Sequence, residues 1–443
     1  MSSKWNELLW GGGALATISG MRCIKVIGAL CLLLSVGCQS SGERAPGEPV
    51  PVSIWMFGGS TEQNAWVRRA VDGFNASQSE IVADFEAKDW ATQRESLITS
   101  TIAGAGPDII RVHHMYSVEF GELGGLYALD NFVDFPAVKE RVLDNLWDYV
   151  SYDDRPYGLP TLVLPFVLAV NQDLLDRHGL DIPLTWEDMM AMGPVLKESG
   201  VHAFTIPAGA NQDAAYRFLP MFYKAGGRVF NEDWTKAAFN GPAGLATLEY
   251  LVSMKDQGFM PPACAAYADD ENKAMWCTEK AALTIEGPWW QTVLGNMYDF
   301  PLEKMRLVKL PGPAVPVGPH PPKTLLDMVM VSITGYSPVP EEAWTVLKAL
   351  WLEDPQWREP NPMMGGLPAL KVAYGPDVES KFIDGEVLAA AGQNGLAWPA
   401  HPAITQIQRS MADALNMAMS GALEPQEALD QAAAEVDEIL LEY

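Results

Sequence analysis

The stretch VSIWMFGGSTEQNAWVRRAVDGFNASQSEIVADFEA, residues 52–87, decides the fold. It opens with a compact apolar strand (52–57), continues with a helical stripe of apolar residues (64–75) and ends in a second strand (81–87). A helix pattern over residues 90–106 and a third strand in PDIIRVHH follow. Strands that alternate with helices at this spacing predict an α/β protein, with a parallel sheet covered by helices on both faces.

The carboxyl ends of these strands mark a candidate binding edge. In sheets of this kind, ligands bind just beyond the carboxyl ends of the strands. The predicted strand ends bring residues 58–62, 89–90 and 113–116 to a single edge. We therefore expect ligand contacts from the following residues at this edge: Gly59, Ser60, Thr61, Glu62, Trp90, His113, His114 and Tyr116.

A second candidate edge lies in ALTIEGPWWQTV, residues 282–293. The apolar run ends in Glu286-Gly-Pro, and Gly-Pro marks a chain reversal. Proline suits the first turn of a new helix. Trp289 and Trp290 therefore stand at the mouth of a strand-to-helix turn. Two of the largest apolar side chains at such a turn, rather than in the middle of a strand, indicate a role beyond core packing.

The length and charge of the chain limit its organisation and its partners. A chain of 443 residues predicts two lobes rather than one ordinary domain. The formal net charge of −26 argues against nucleic acid or an anionic lipid surface as a partner, and it leaves a neutral ligand open. Near the carboxyl end, two helices broken at residues 421–425 are predicted.

The amino-terminal region reads as an export signal. Arg22 and Lys25 precede a short apolar run (26–34), and small residues lead to Cys38. This arrangement resembles a bacterial lipobox, which implies that Cys38 is acylated and begins the mature chain, with 38–50 as a flexible tether. An ordinary signal peptide with an incidental cysteine is the alternative. Residues 1–20 lie upstream of a signal of this kind, and our hypothesis is that they reflect an overextended start.

Two cysteines remain after the signal region. Cys264 and Cys277 would face an oxidising compartment in an exported chain, so we predict that they form a disulfide. Two free buried thiols are the alternative.

Motifs spread along the chain carry a family resemblance. In order they are VSIWMF, STIAGAGPDII, GGLYALD, YDDRPYGLP, VNQDLLDRHGLDIPLTWEDM, EKAALTIEGPWW, GGLPAL and the closing PQEALDQAAAEVDEIL. Their order resembles the extracellular solute-binding proteins of carbohydrate ABC importers, the group typified by maltose-binding protein. The sequence departs from the pattern at Val170, where tyrosine is usual, and at Glu279, where glycine is usual.

The resemblance implies a two-lobed fold of the type II periplasmic-binding-protein class. Each lobe would be a sheet flanked by helices, and crossover strands would form the hinge. The implied boundaries assign 51–162 and 325–372 to lobe 1, and 163–324 and 373–443 to lobe 2.

The resemblance also implies a function. A monomer anchored to the bacterial cell envelope by its lipid would capture a sugar or oligosaccharide between the lobes and deliver it, chemically unchanged, to the transmembrane subunits of an ABC permease. No cofactor and no metal are implied. A polyol or a glycerol phosphodiester is the alternative cargo, and a surface lipoprotein without a permease is a further possibility.

Individual residues take roles from the same resemblance. Trp289 matches the tryptophan that stacks on sugar, while Trp290 is interpreted as lobe packing. Glu286 would either accept hydrogen bonds from sugar hydroxyls or cap the following helix. Weaker candidates for ligand contact are Asp327, Gly366 and Trp398.

Competing chemistries are less well supported. The six histidines show no metal-ligand spacing beyond the pair His113-His114, and neighbours on a strand point to opposite faces. ADDENKA, residues 268–274, lacks the glycine and the ligand order of a calcium loop. A glycosidase would need two opposed carboxylates across a cleft, whereas Asp153 and Asp154 are adjacent.

Overall fold

The computed structural model describes residues 47–59, 61–354, 364–373 and 376–443. Its strands are β1 (Val50–Phe57), β2 (Ile81–Lys88), β3 (Ile109–His113), β4 (Ser151–Tyr152), β5 (Arg155–Pro156), β6 (Leu159–Pro165), β7 (Val167–Asn171), β8 (His202–Thr205), β9 (Ala281–Glu286), β10 (Met305–Val308), β11 (Leu326–Ile333) and β12 (Leu367–Pro368). Its α-helices are α1 (Thr61–Ser77), α2 (Gln93–Ala103), α3 (Tyr116–Glu122), α4 (Phe135–Lys139), α5 (Gln172–Arg177), α6 (Trp186–Glu198), α7 (Gln212–Lys224), α8 (Pro242–Asp256), α9 (Asp269–Cys277), α10 (Trp290–Met297), α11 (Pro340–Lys348), α12 (Pro376–Lys381), α13 (Gly385–Asn394), α14 (Ile404–Ser420) and α15 (Pro425–Leu440).

The larger sheet has the strand order β12-β6-β11-β3-β1-β2. β1 runs parallel to both β2 and β3, as the sequence predicts. β11 enters antiparallel between β3 and β6, and β12 pairs antiparallel with β6. The alternation of strand and helix in the amino-terminal part does not reveal these antiparallel strands, because they come from distant parts of the chain.

The smaller sheet has the order β10-β7-β9-β8. Only Phe166 separates β6 in the larger sheet from β7 in the smaller one, and the chain returns between β10 and β11. The result is the two-lobed α/β architecture predicted from the sequence. The predicted boundary between residues 162 and 163 falls inside β6, whose last residue, Pro165, still pairs with Leu326. The lobe boundaries, this one included, stay a prediction.

The terminal helices show how local sequence sets the elements. In α14, Ile404, Ile407, Met411 and Leu415 recur at helical spacing and are buried. Gly421 ends that helix with φ of 76°, a conformation that glycine adopts without steric cost. α15 begins at Pro425, so the predicted break between the two helices is confirmed.

Two features of the chain bear on membranes. In the part of the chain that the structure describes, no helix is both long and apolar enough to cross a bilayer. The predicted signal segment, the acylation of Cys38 and the tether up to residue 46 lie outside the described residues.

The predicted disulfide is wrong: Cys264 and Cys277 are free thiols. The carbonyl of Cys264 accepts a hydrogen bond from the Ala208 amide beyond the end of β8 (3.1 Å). Cys277 ends α9 and lies near the start of β8, where the His202 amide donates to the Lys280 carbonyl (2.9 Å). The two cysteines thus lie at opposite ends of β8, whereas a disulfide needs Cα atoms within about 7 Å.

Candidate functional site

The predicted edge of the larger sheet brings Gly58, Trp90 and His113 together. The Trp90 and His113 rings lie 4.5 Å apart between centroids, tilted by 37°. Gly58 follows β1 with φ of 73°, and a Cβ there would lie only 1.7 Å from the Trp90 indole nitrogen. Only glycine therefore lets the indole lie against this turn, and the indole in turn supports the His113 ring.

Arg111 supports the same indole from inside the lobe. Its guanidinium carbon lies 5.2 Å from the centre of the Trp90 ring, and one of its nitrogens donates to the Phe57 carbonyl (2.7 Å). Burial lowers the pKa of Arg111 to about 10. Trp90 is thus held by a cation on one side and by the Gly58 turn on another.

Asp327, near the start of β11, lies between the two histidines. The Nδ1 atoms of His113 and His114 are 3.0 and 3.1 Å from its carboxylate oxygens. Burial opposes ionisation, but the charges and hydrogen bonding of His113 and His114 outweigh it and hold the pKa of Asp327 well below its usual range. The expectation that the two histidines point apart is wrong, because His114 follows the last residue of β3 and the strand alternation no longer applies there.

The second candidate edge is built around Glu286, the last residue of β9. Glu286 is fully buried, and its two carboxylate oxygens accept from Arg217 (3.0 Å) and from the Trp289 indole nitrogen (2.9 Å). Burial raises the pKa of Glu286 to about 7 despite the opposing charge of Arg217. The predicted helix cap is wrong, because no side chain that the structure describes caps the following helix and the carboxylate instead orients Trp289. The predicted role of Glu286 as a sugar acceptor stays a prediction.

The turn after β9 folds the Trp289 indole back over the backbone. A Cβ on Gly287 would lie 2.1 Å from the Trp289 ring, so this close approach requires glycine. Trp290, by contrast, is fully buried against Trp276, with ring centroids 5.6 Å apart. The interpretation of Trp290 as lobe packing is confirmed.

A row of aromatic rings connects the two edges. His113 lies 6.2 Å from Tyr216 of α7, and Tyr216 lies 5.9 Å from Phe166 at the crossover. Phe166 in turn lies 5.1 Å from Trp289 in a T-shaped arrangement. Together with Trp90, these rings run from the end of β3 to the end of β9.

The two sides of the row touch in this structure. Met115, which follows β3, receives the Tyr216 hydroxyl at its sulfur (3.3 Å) and the Gln408 amide of α14 (3.6 Å). Glu119 accepts from Thr405 of α14 (3.2 Å). The structure therefore holds elements of the two sheets against each other at the aromatic row.

The other predicted residues are distributed unevenly. Tyr116 is buried against Phe120 and belongs to the core, where ligand contact is not favoured. Gly366 packs on Leu164 of β6, next to Gly365, whose Cβ would lie 3.6 Å from the Trp289 Cβ. Thr61 and Gly59 are exposed at the start of α1, and Trp398 is buried beside Tyr216. Ser60 and the side chain of Glu62 lie outside what the structure describes.

Sequence reasoning missed Phe166 and Tyr216, and it placed Met115 at the predicted edge without giving it a role. Phe166 sits in the continuous apolar run LVLPFVLAV, where no residue stands out. Tyr216 lies in α7, every residue of which from Ala214 to Lys224 is buried, so the sequence pattern gives no sign of a face directed at a site.

No His, Cys, Asp or Glu side chains of the described ranges form a group of three that could hold a metal ion.

Comparison with known proteins identifies the family of the chain. Residues 58–356 match the family of bacterial extracellular solute-binding proteins. The chain belongs to this family. This solute-binding protein is 24% identical over 385 residues to a Brucella abortus protein described as a binding protein, a match that covers 86% of this chain and 91% of the relative.

Solved structures share the fold of this solute-binding protein. An ABC transporter solute-binding protein from Thermotoga lettingae, bound to α-D-tagatose, matches with a TM-score of 0.75 at 22% identity, over 88% of this chain and all of the other. The GacH receptor of Streptomyces glaucescens, solved unliganded and with acarbose, matches with a TM-score of 0.77 at 15% identity, over 89% of this chain and 99% of the other. The two-lobed periplasmic-binding-protein fold is therefore confirmed.

Proposed function

We propose that this protein captures a sugar or oligosaccharide between its two lobes and delivers it to an ABC permease. The observation that carries the proposal is that Trp90, His113 and Trp289 are partly exposed at the two ends of one row of rings, which the buried Tyr216 and Phe166 connect. Pyranose rings present C–H faces that pack on flat aromatic surfaces, and such surfaces contribute about 1 kcal/mol each beyond area burial. The sugar ligands of the two structural neighbours support the same cargo class.

The polar groups beside the rings suit an uncharged cargo. The carboxylates of Glu286 and Asp327 are both buried and engaged by protein partners, and Arg217 and Arg111 are engaged likewise. Charged groups that are already committed to protein partners favour a ligand recognised through stacking and hydroxyl hydrogen bonds. A glycerol phosphodiester would need a cation that is accessible at the row, whereas Arg111 and Arg217 are both buried, so this alternative cargo is less favoured than a sugar or a neutral polyol.

We propose binding without chemical conversion. A glycosidase uses one carboxylic acid and one carboxylate flanking the scissile bond. Glu286 orients Trp289 and Asp327 faces two histidines, so neither is disposed to reach a glycosidic oxygen. Incubation of the protein with a bound oligosaccharide, followed by chromatography, should return the oligosaccharide intact.

The cellular setting extends the proposal. We propose that the chain is exported, that Cys38 carries lipid at the envelope surface and that the mature chain acts as a monomer, with lobes divided as the sequence indicates. Metabolic labelling with a palmitate analogue tests the anchor: label should appear in the wild-type chain and be absent from Cys38→Ser.

A thermal-shift screen tests the cargo most directly. Mono- and oligosaccharides, neutral polyols and glycerol phosphodiesters should be compared at equal concentration, and calorimetry should follow for each compound that raises Tm. We expect a sugar to give the largest shift, because a ligand that binds only the folded state stabilises it. A polyol or a phosphodiester that outperforms every sugar would overturn the proposed cargo.

A further inference from the structure

A cavity of about 510 Å³ lies behind the aromatic row, on the other side of the crossover. It is bordered by Phe166 and Thr324 at the two chain crossings, by the end of α7 and by α13. Three lysines line it: Lys224, Lys309 and Lys323. Its volume falls within the roughly 300–1,000 Å³ that small-molecule sites occupy.

Lys224 is the unusual member of the three. It is the last residue of α7, and only 7% of its surface is exposed. Burial, followed by the charges of Lys309 and Lys323, lowers the pKa of Lys224 to about 8, and no carboxylate of the described chain offsets these effects. A buried ammonium without an opposite charge costs free energy, and proteins normally pair such a group.

The three lysines form a cluster of positive charge on a chain that is otherwise strongly acidic. The chain carries 56 acidic and 30 basic side chains, so most lysines would be expected to have an acidic side chain nearby. Lys309 is exposed and Lys323 half-buried, and both line the cavity with Lys224. Glu386 of α13 also borders the cavity, yet it forms no ion pair with these lysines. The cavity is therefore a concave site of positive charge on an acidic protein.

This cavity is separate from the aromatic row. Tyr216 lies in the first half of α7, whereas Lys224 ends the helix eight residues later, about 12 Å further along the axis. Phe166 stands between them: its ring contacts Tyr216 and Trp289, and it also borders the cavity. A ligand in the cavity would thus be distinct from the sugar.

We propose that this cavity binds a small, soluble, multivalent oxyanion, such as a phosphate-bearing metabolite, through the ammonium groups of Lys224, Lys309 and Lys323. Lysine binds phosphate as a point charge and needs no fixed donor geometry. An anion with two or more charges would remove the mutual repulsion of the three ammonium groups and supply the partner that Lys224 lacks. The strongly negative net charge of the chain disfavours a flat anionic membrane, which would face a large part of the acidic surface, as the source.

Titration with inorganic pyrophosphate in a calorimeter, at constant ionic strength, tests the proposal. We expect saturable 1:1 binding to the wild-type protein and a rise in Tm. The double variant Lys309→Gln/Lys323→Gln should bind at least tenfold more weakly. Both residues are accessible at the cavity, so their replacement leaves the core intact, and circular dichroism verifies folding.

The matched control is Lys139→Gln/Lys236→Gln, which removes two exposed lysines that do not line the cavity and gives the same net charge as the first double variant. This control should bind pyrophosphate as the wild type does. Absence of saturable heat with the wild type at millimolar pyrophosphate would overturn the proposal, and so would equal weakening in both double variants.

A parallel experiment with lipid vesicles distinguishes a soluble anion from a lipid headgroup. Flotation with phosphatidylglycerol vesicles that depends on Lys309 and Lys323, without pyrophosphate binding, would overturn the soluble ligand. Sugar binding is measured in parallel, so that failure of the proposed anion site can be distinguished from failure of the proposed sugar site.

Discussion

The Trp289 indole nitrogen donates to the Glu286 carboxylate across a turn of three residues, at 2.9 Å. One oxygen of this carboxylate holds the indole, and the other holds Arg217 at 3.0 Å. The orientation of the ring at the proposed sugar site is therefore set by a buried ion pair rather than by the ring's own packing alone.

Replacement of Trp289 by Ala should weaken binding of the sugar identified in the screen by about 1–3 kcal/mol, roughly 5- to 150-fold, because a stacking surface is lost. Calorimetry measures the affinity, and urea unfolding should show a small change in stability. Trp234→Ala is the matched control, since Trp234 is 44% exposed and contacts Phe230 away from the row. Equal affinity of Trp289→Ala and wild type would contradict the stacking role.

Ionisation of Glu286 should make stability depend on pH. Because burial raises its folded-state pKa from 4.5 to about 7, its contribution is fully present below pH 4.5 and is lost as the pH rises through 7. Urea unfolding at pH 5, 6, 7 and 8 should therefore show a decline in the wild type that is smaller in Glu286→Gln. Parallel profiles for the two proteins would show that Glu286 does not titrate in this range.

Asp327→Asn should lower the free energy of unfolding by about 1–3 kcal/mol, because the Nδ1 atoms of His113 and His114 lose a buried carboxylate partner. The depressed pKa of Asp327 means that its contribution is present above pH 3.8 and is lost as the pH falls below that value. The difference between wild type and variant at pH 6 should shrink in acid. Asp181→Asn, at an exposed position, is the control and should unfold like the wild type.

Gly58→Ala should disturb both stability and the site. A Cβ there meets the Trp90 indole at 1.7 Å, and φ is 73°, so we expect a loss of about 1–3 kcal/mol in stability together with weaker sugar binding. Gly104→Ala separates the two causes, because Gly104 also has a positive φ, 59°, but nothing lies within 4 Å of its Cβ. That control should lose stability and keep its affinity for the sugar. Weakened sugar binding in the control would contradict the view that Gly58→Ala acts on binding through Trp90.

The thiols of Cys264 and Cys277 should be free. Burial raises the pKa of Cys264 to about 11 and that of Cys277 to about 12, so both should react slowly with iodoacetamide in the native protein. In denaturant and without reducing agent, peptide mapping should find both fully alkylated. A cross-linked peptide that contains both residues would restore the disulfide.

Local patterns predicted much of this fold. The periodicities of β1, α1 and β2 are set by which faces are buried, so they are visible within a few residues, and Gly-Pro before Trp289 marks a turn by its chemistry alone. The ends of β1 and β3 could be placed on one edge because the carboxyl ends of parallel strands lie at the same edge of a sheet.

Long-range relationships could not be predicted in this way. The approach of His113 and His114 to Asp327 depends on β11 pairing with β3, which no local pattern indicates. The number of cysteines suggested a disulfide, but the fold holds Cys264 and Cys277 near opposite ends of β8, too far apart to be bonded. Lys224 resembles an ordinary helix-terminal lysine until the fold brings Lys309 and Lys323 beside it.

The place of β11 has a consequence for biosynthesis. It fills the middle of the larger sheet between β3 and β6, yet the ribosome makes it more than 200 residues after β3. Until that segment emerges, β3 and β6 lack a neighbour and the amino-terminal half cannot complete its sheet. The larger sheet thus closes late in synthesis, after all four strands of the smaller sheet have been made.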